Sequence, residues 1–372
     1  MTEQADNPPH VVVVGGGYGG IKVAKQLDDV ARVTLVDPTE AFVHNVAAWR
    51  ALVEPEWLDR IFFRYDHLLR RGRFIRDRAV AVDGRQVTLG SGARLEPDYL
   101  VLATGSAYPF PAKVADPDVE TARARLRTAH TELRGAERVL LVGAGPSGLE
   151  LAGEIKAFFP EKRVTIVDAG PDILPGPYDQ ELRDELRRQL DKMGVELILG
   201  SRLRALPAAE PATRAAVAVT TEAGEELTAD IWYRCFGVAP ASDYLTGALA
   251  EVRNEQGYLR VDPRLRVLGQ DRVFAVGDLT DADLNMAGRA SAQADLVAAN
   301  LRHLITGEGE TADYQPMPPV ILVPLGPEGG AGLLPGMVEG VAGPEIAADI
   351  KGRNMLVGTL VELFDAAPDE VD

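Results

Sequence analysis

The sequence predicts an α/β protein with two parallel-sheet domains, and an internal repeat is the main reason. Residues 10–37 read HVVVVGGGYGGIKVAKQLDDVARVTLVD, and residues 138–168 read RVLLVGAGPSGLELAGEIKAFFPEKRVTIVD. Each copy runs from an apolar β-branched segment through a glycine-rich turn and an amphipathic helix to a second apolar segment that ends in aspartate. This order is that of a mononucleotide-binding unit. Because the copies lie far apart along the chain, we expect two Rossmann-like domains rather than one sheet.

The segments between and after the copies predict how these domains are connected. Residues 79–106 alternate apolar and polar side chains around glycine turns, which predicts an antiparallel meander leading into a buried strand, YLVLATG. Stretches with proline and glycine near 107–117 and 238–248 predict the two crossings between domains. The first domain is therefore expected to be discontinuous, with the second inserted and a small C-terminal α+β region added. The predicted ranges are 1–111 and 241–310 for the first domain, 112–240 for the second, and 311–372 for the C-terminal region.

The composition excludes several classes of function. The chain has 39 Lys and Arg against 56 Asp and Glu, a formal net charge of −17. This balance argues against nucleic acid, because neutralising phosphates needs a clustered positive surface. A single cysteine, Cys235, excludes an internal disulfide and a two-cysteine redox centre, and five scattered histidines predict no metal site. With no apolar run of about 20 residues and no signal peptide at its start, the chain is expected in the cytoplasm.

The first glycine-rich turn carries the stronger signal for a nucleotide. In the pattern Gly15-x-Gly17-x-x-Gly20, the first glycine permits the tight turn, the second lets the backbone approach a pyrophosphate, and the third lets helix and strand pack closely. Asp37 ends the second strand, where its carboxylate would accept a hydrogen bond from a ribose 2′-hydroxyl. The alternative is a glycine-rich turn that binds no ligand.

The second turn repeats this logic with Gly143, Gly145 and Gly148, and Asp168 is its acid. A carboxylate at this position favours NADH, because the 2′-phosphate of NADPH would meet like charge and needs an arginine instead. No arginine follows Asp168 closely in the sequence, so NADH is predicted. The alternative is that Asp168 only caps a turn.

Four motifs in this order resemble the flavoproteins with two dinucleotide-binding domains, of the pyridine nucleotide-disulfide oxidoreductase superfamily. They are the GGGYGG turn with its VD, the ATG at 103–105, the GAGPSG turn, and the FAVGD that ends at Asp278. The resemblance implies that the first domain binds FAD, that the second binds NAD(P)H, and that the late aspartate holds the flavin ribityl chain. The implied FAD residues are Gly15, Gly17, Gly19, Gly20, Asp37, Thr104, Gly105 and Asp278. The implied NAD residues are Gly143, Gly145, Gly148, Asp168 and Gly237, the last from the strand end CFG.

The position of the redox cysteines in disulfide reductases of this superfamily is occupied here by FVHNVAAWRALVE, residues 42–54, which contains none. Cys235 is predicted to be buried and inert. This segment, together with ELAGEIK and PLGPEGGAGLLPG, is similar to the branch of ferroptosis suppressor and apoptosis-inducing-factor-like proteins, related to type II NADH dehydrogenases. That branch implies a quinone-type acceptor. It also places Arg50 and the backbone near Ala79 at FAD, Glu150 and Glu154 on the nicotinamide side, and Lys351 near the flavin.

Glu150 and Glu154 are four residues apart on one helix and share a face. If this face looks toward the flavin, a carboxylate there would tune the flavin or relay a proton to a quinone, and Lys351 or Arg50 would neutralise it. The alternative is that Glu154 and Lys351 form a solvated surface pair.

Two further predictions concern residues near the flavin. Met286 and Ala287 begin a helix whose amides would face flavin O2, with ordinary helix packing as the alternative. His44 is predicted to be a structural hydrogen-bonding residue rather than an acid–base catalyst.

The predicted function is therefore the oxidation of NADH through FAD with reduction of a quinone. Two rivals remain open. One is a reductase of a ferredoxin or rubredoxin, which the net charge of −17 disfavours without excluding a local basic patch such as Arg70, Arg71 and Arg73. The other is a low-turnover NADH sensor like apoptosis-inducing factor. The acidic ending, and residues 355–364 (MLVGTLVELF) predicted as a strand, argue against membrane attachment. A homodimer and a peripheral position at the inner face of the cell membrane also stay open.

Overall fold

The computed structural model describes residues 8–365, and its first part is built around a parallel sheet. The strands of this part are β1 (His10–Val14), β2 (Arg32–Asp37), β3 (Ala41–Val43), β4 (Phe62–Arg64), β5 (Arg73–Arg76), β6 (Ala79–Val82), β7 (Val87–Leu89), β8 (Arg94–Leu95), β9 (Tyr99–Leu102) and β10 (Ser106–Ala107). The helices are α1 (Tyr18–Leu27) and α2 (Ala48–Val53), with 3-10 turns at Asn45–Ala47, Pro55–Asp59 and Tyr65–His67. β1 pairs in parallel with β2 and β9, and all its residues are buried, as in strands covered on both faces. The predicted meander is present as β6-β7-β8.

The second part contains the second copy of the repeat. Its elements are α3 (Val119–Gly135), β11 (Arg138–Val142), α4 (Pro146–Phe158), β12 (Arg163–Val167), α5 (Gln180–Lys192), β13 (Val195–Ile198), β14 (Val217–Thr220), β15 (Glu226–Ala229), β16 (Ile231–Arg234) and β17 (Ala239–Pro240). The next helix, α6 (Gly247–Glu251), packs on the first part, where Leu249 shares a core with Val82 and Val87. The strands β13, β12, β11 and β16 form a parallel sheet in that order. β10 and β17, which lie in the two predicted crossings, pair with each other in antiparallel fashion.

The chain then returns to the first sheet. β18 (Val273–Ala275) pairs in parallel with β9 and is followed by a 3-10 turn at Gly277–Leu279 and by α7 (Ala287–Thr306). The first sheet is therefore built from segments on both sides of the second part, which gives the predicted discontinuous first domain. α7 packs against α1, so the N-terminal end of the first repeat helix lies beside the returning chain.

The C-terminal region is a small sheet with helices. It comprises β19 (Ile321–Pro324), β20 (Gly330–Leu333), β21 (Val341–Ala342), α8 (Pro344–Ala347), a π-helical turn at Ala348–Gly352 and α9 (Val357–Phe364). β19, β20 and β21 pair in antiparallel fashion. β19 lies within the apolar segment PVILVPL, residues 319–325.

The prediction of a strand at residues 355–364 is wrong, because α9 forms there. Val357, Leu360 and Phe364 are buried at helical spacing, and the Phe364 ring packs on those of Phe42 and Phe63 with centroids 5.9 and 5.2 Å apart. A short apolar run does not distinguish a strand from a buried helix, and here the packing surface of the first domain decides. No helix among residues 8–365 is long and apolar enough to cross a bilayer.

Candidate functional site

The two glycine-rich turns have the same backbone geometry. The Gly15 amide donates to the Val36 carbonyl at 2.8 Å, and the Gly143 amide donates to the Val167 carbonyl at 2.8 Å. Both glycines have positive φ, +103° and +115°, a region that side chains with Cβ rarely adopt. In each copy the chain therefore turns sharply at the strand end, and the following helix packs back against the strands of its own unit.

Open space lies in front of both repeat helices. Gly17 precedes α1 and Gly145 precedes α4 as the capping residue, and a Cβ at either position would meet no atom within 4 Å. The free amides of a helix N-terminus bind anions, so each opening fits the pyrophosphate of a dinucleotide. Gly20 and Gly148, by contrast, face the carbonyls of Gly15 and Gly143 so closely that a Cβ has no room. These contacts match the packing role that the sequence predicts for the third glycine.

The two strand-end aspartates are held over these openings by backbone amides. Asp37 Oδ2 accepts from the Gly16 amide at 2.6 Å, and Asp168 Oδ2 accepts from the Ala144 amide at 2.7 Å. The Asp168 Oδ1 atom also accepts from the Gly170 amide at 2.6 Å. Asp168 therefore caps a turn, which was the alternative to a binding role. Its carboxylate also lies at the glycine-rich opening, where a ribose would be recognised.

The other residues predicted at FAD gather at the carboxyl ends of β9 and β18. Asp278 Oδ2 accepts from the Ser106 hydroxyl at 2.7 Å, and Thr104 Oγ1 donates to the Ala241 carbonyl at 2.8 Å. Gly105, which lies between Thr104 and Ser106, has a φ of +63° and turns the chain there. Carboxyl ends of parallel strands at a change in strand order are the usual place for a ligand in such sheets.

Lys113 joins this group and was not predicted from the sequence. Its ammonium donates to the Ser106 carbonyl. Burial lowers the pKa of Lys113, while the charges of Asp278 and Asp37 act in the opposite direction. Since lysine is rare in this chain, the lysine in PFPAK after the ATG motif was the available signal.

The other residues predicted to bind FAD lie on α1, at the start of α7 and at the start of β6. A Cβ at Gly19 would lie 2.9 Å from Val276 Cγ2, so this glycine lets α1 approach the returning chain. Met286 caps α7, which begins at Ala287, next to the Gly277–Leu279 turn. Ala79 opens β6 and is half-buried.

Arg50 and Glu154 form a buried ion pair between α2 and α4. Arg50 Nε lies 2.6 Å from Glu154 Oε2, and Nη2 lies 2.8 Å from Oε1. The guanidinium also lies 5.3 Å from the Trp57 ring and 5.4 Å from the Phe158 ring. Burial raises the pKa of Glu154, and the hydrogen bonds from Arg50 oppose this rise. The structure thus gives the Arg50 guanidinium a carboxylate partner, and its contact with FAD stays a prediction.

Lys351 pairs with Glu150 and not with Glu154. Lys351 Nζ lies 2.8 Å from Glu150 Oε1, and the two side chains are 15% and 16% exposed. The alternative of a solvated surface pair between Glu154 and Lys351 is therefore wrong, since Glu154 is fully buried against Arg50. The Lys351–Glu150 pair connects the π-helical turn of the C-terminal region to α4 of the second domain.

His44 connects the first domain to the same C-terminal region. Its Nε2 lies 2.6 Å from the Met355 carbonyl, which can only accept, so Nδ1 accepts from the Tyr18 hydroxyl at 3.0 Å. Burial lowers the pKa of His44 to about 4. With Arg50 Nη2 donating to the Gly352 carbonyl at 2.9 Å, two side chains of residues 44–50 hold the chain at Gly352 and Met355, just after Lys351. His44 is a structural hydrogen-bonding residue, as predicted.

The nucleotide cassette of the second domain ends beside Cys235. This thiol is buried, and burial raises its pKa to about 12, so it is inert as predicted. Gly237 follows with a φ of +92°, and a Cβ there would collide with the Arg234 guanidinium.

The family model described as pyridine nucleotide-disulphide oxidoreductase matches residues 9–294, which include both glycine-rich turns and the late aspartate. The chain belongs to this family. The family's cofactors are FAD and NAD(P)H, so the predicted cofactor pair and the two-domain α/β fold are confirmed. The chain is accordingly an FAD-dependent NAD(P)H oxidoreductase at the level of the family.

Relatives within the family place it more closely. Ferroptosis suppressor protein 1 of Homo sapiens is 32% identical over 369 residues, covering 96% of each chain. Apoptosis-inducing factor homolog B of Dictyostelium discoideum is 31% identical over 340 residues, covering 86% of this chain and 88% of the relative. The predicted branch is confirmed.

Solved structures share the fold at low identity. The sulfide:quinone oxidoreductase of Aquifex aeolicus superposes with a TM-score of 0.75 at 18% identity, covering 98% of this chain and 93% of that chain. NDH2 of Plasmodium falciparum in complex with NADH superposes with a TM-score of 0.73 at 12% identity, covering 95% and 97%.

Proposed function

We propose that this protein is an FAD-dependent NADH:quinone oxidoreductase that prefers NADH to NADPH. The observation that carries the proposal is the chemistry of α2. Where the disulfide reductases of the superfamily have two cysteines, α2 supplies Arg50, whose guanidinium is bound to Glu154. The only cysteine, Cys235, is buried in the other domain. An acceptor that needs no thiol fits this arrangement, and the resemblance to a branch of quinone reductases supports the same choice.

The residues of the two openings are assigned to binding. Bound in the first opening, FAD would supply two-electron transfer between the reduced nicotinamide and the acceptor. Gly17 and the amide end of α1 would hold the FAD pyrophosphate, Asp37 its ribose and Asp278 its ribityl chain. Lys113 supplies positive charge near both carboxylates. Gly145 and the amide end of α4 would bind the pyrophosphate of NADH.

We assign proton delivery to the Lys351–Glu150 pair. A quinone takes up two protons as it is reduced, so a proton donor in contact with solvent is needed beside it. Lys351 Nζ, which donates to Glu150 Oε1, is partly exposed, as is its partner. Glu154 is fully buried and bound at both oxygens by Arg50, so we assign it a role in holding α2 against α4. Of the two carboxylates predicted as candidates for a proton relay, we therefore assign that role to Glu150.

The test is anaerobic mixing of the purified holoenzyme with NADH while the visible flavin absorbance is followed. A short-chain ubiquinone or menaquinone analogue is then added. We expect loss of the absorbance followed by rapid recovery, repeated over many cycles. Absorbance that stays bleached in the presence of quinone would contradict the proposal and favour a protein acceptor or a sensor.

Two arginines of the basic patch that a protein acceptor would need already have partners within the chain. Arg70 Nη2 lies 3.1 Å from Asp365 Oδ2, and Arg71 Nη1 donates to the Asp29 carbonyl at 2.9 Å. Arginines already bound to carboxylate and carbonyl groups offer less attraction to an acidic ferredoxin. The quinone proposal is therefore preferred to the ferredoxin or rubredoxin reductase.

A further inference from the structure

A cavity of about 470 Å³ opens at the carboxyl ends of β11 and β12. Its lining includes Gly143 and Asp168 of the second cassette, together with Arg202, Leu206 and Phe236. Leu206 and Phe236 are 42% and 38% exposed, so they offer apolar surface on which a planar ring would pack. If the second cassette binds a nicotinamide nucleotide, as in the proposed function, this cavity receives its adenosine half.

Backbone hydrogen bonds bring Arg202 next to Asp168. The amide of Ser201, the residue before it, donates to the Asp168 carbonyl at 3.2 Å. The Gly200 amide donates to the Gly170 carbonyl at 2.7 Å, and the Glu222 amide donates to the Arg202 carbonyl at 2.8 Å. The backbone at Arg202 is thus held from two sides, at the rim of the cavity that Asp168 also lines.

The Arg202 side chain is only loosely engaged. It is 68% exposed, and its Nε lies 3.8 Å from Glu222 Oε2. Exposed ion pairs at such distances contribute little to stability, so a ligand with more negative charge would displace Glu222. A guanidinium binds phosphate through parallel hydrogen bonds, which makes arginine the usual partner of a phosphate monoester.

Asp168 and Arg202 therefore give one cavity two opposite preferences. The carboxylate favours the free 2′-hydroxyl of NADH and repels a 2′-phosphate. The guanidinium attracts that phosphate. We propose that Arg202 binds the 2′-phosphate of NADPH, so that the protein accepts both nucleotides and the choice between them is set by Asp168 against Arg202. The proposal rests on the proposed function only in assigning the second cassette to a nicotinamide nucleotide.

The direct test is equilibrium binding of two probes to the holoenzyme by titration calorimetry: 2′,5′-ADP, which carries the 2′-phosphate, and 5′-AMP, which lacks it. We expect Arg202→Ala to weaken 2′,5′-ADP at least about tenfold and to leave 5′-AMP unchanged. Arg204→Ala is the matched control, because Arg204 is exposed on the same segment and does not line the cavity. It should bind both probes like the wild type.

A second set of variants tests the competition with Asp168. Asp168→Asn should raise kcat/KM for NADPH relative to NADH, and adding Arg202→Ala should abolish this gain, whereas adding Arg204→Ala should not. The proposal is overturned if the wild type fails to bind 2′,5′-ADP, or if Arg202→Ala changes neither its affinity nor the NADPH to NADH ratio. Absence of quinone turnover with both nucleotides would instead contradict the proposed function. The binding of 2′,5′-ADP and 5′-AMP would still test the role of Arg202, because it does not depend on turnover.

Discussion

Replacing Arg50 by methionine should be strongly destabilising, because it leaves Glu154 buried without its partner. Glu154 is fully buried, and both of its oxygens are bound by the Arg50 guanidinium. Removing one member of a buried ion pair costs about 3–5 kcal/mol, mostly through the uncompensated charge that remains. Methionine fills part of the space between Trp57 and Phe158, so the loss is chiefly electrostatic.

The assay is denaturant unfolding followed by tryptophan fluorescence, with Lys22→Met as the matched control. Lys22 pairs with Asp295 at a similar distance, 2.7 Å, but both side chains are partly exposed, at 28% and 50%. An exposed pair contributes about 1 kcal/mol or less. The two variants therefore separate the effect of burial from that of losing an ion pair.

The cost should depend on pH and on Glu154. Burial raises the pKa of Glu154, and without Arg50 this rise is unopposed. A group with a raised folded-state pKa favours the folded state at low pH and loses this contribution as pH rises through that pKa. The penalty of Arg50→Met should therefore shrink as the pH falls. The double variant Arg50→Met, Glu154→Gln should recover most of the stability; if it is as unstable as Arg50→Met, the reasoning from uncompensated charge is refuted.

Three other predictions follow from the same contacts. Gly17→Val should give colourless protein, because its side chain would fill the opening before α1; full flavin absorbance in the purified variant would show that FAD does not bind there. Glu150→Gln should slow quinone reduction at least about tenfold while NADH still bleaches the flavin at the wild-type rate; stopped-flow kinetics measures both steps, and equal slowing would remove the proton-delivery role. His44→Phe should cost roughly 1–3 kcal/mol and increase proteolysis of the C-terminal region, since the bond to Met355 is lost. Because the pKa of His44 is about 4, wild-type resistance to proteolysis should stay constant from about pH 6 to 8, and a change over this range would contradict the assignment.

Much of the fold and of the nucleotide cassettes could be predicted from the sequence. Gly15, Gly17 and Gly20 act through the turn in which they lie, so their spacing alone predicts it. Asp37 and Asp168 end the next strand of the same unit, and their bonds to the turn confirm that proximity. The first sheet, completed by β18 after a long insertion, followed from the order of the motifs.

Contacts between distant segments could not be predicted in this way. The sequence offered Arg50 and Lys351 as alternatives for neutralising one carboxylate. In the fold, α2 and the C-terminal π-helical turn both pack on α4, and each of the two cations meets its own glutamate. The apolar run at residues 355–364 became a helix because of the aromatic surface beneath it. The spacing of residues within a segment does not predict which distant surface that segment will pack against.

The nucleotide preference shows the same division. By itself the sequence determined the glycine-rich turns, the strand-end acids and the absence of redox cysteines, because turn geometry and the residue types present are local properties of the chain. Only the tertiary structure decided that Arg202 stands beside Asp168, that Glu154 is buried against Arg50 and that Lys351 reaches Glu150. The physical reason is that hydrogen bonds within a turn join near neighbours, whereas ion pairs depend on the docking of elements far apart in sequence.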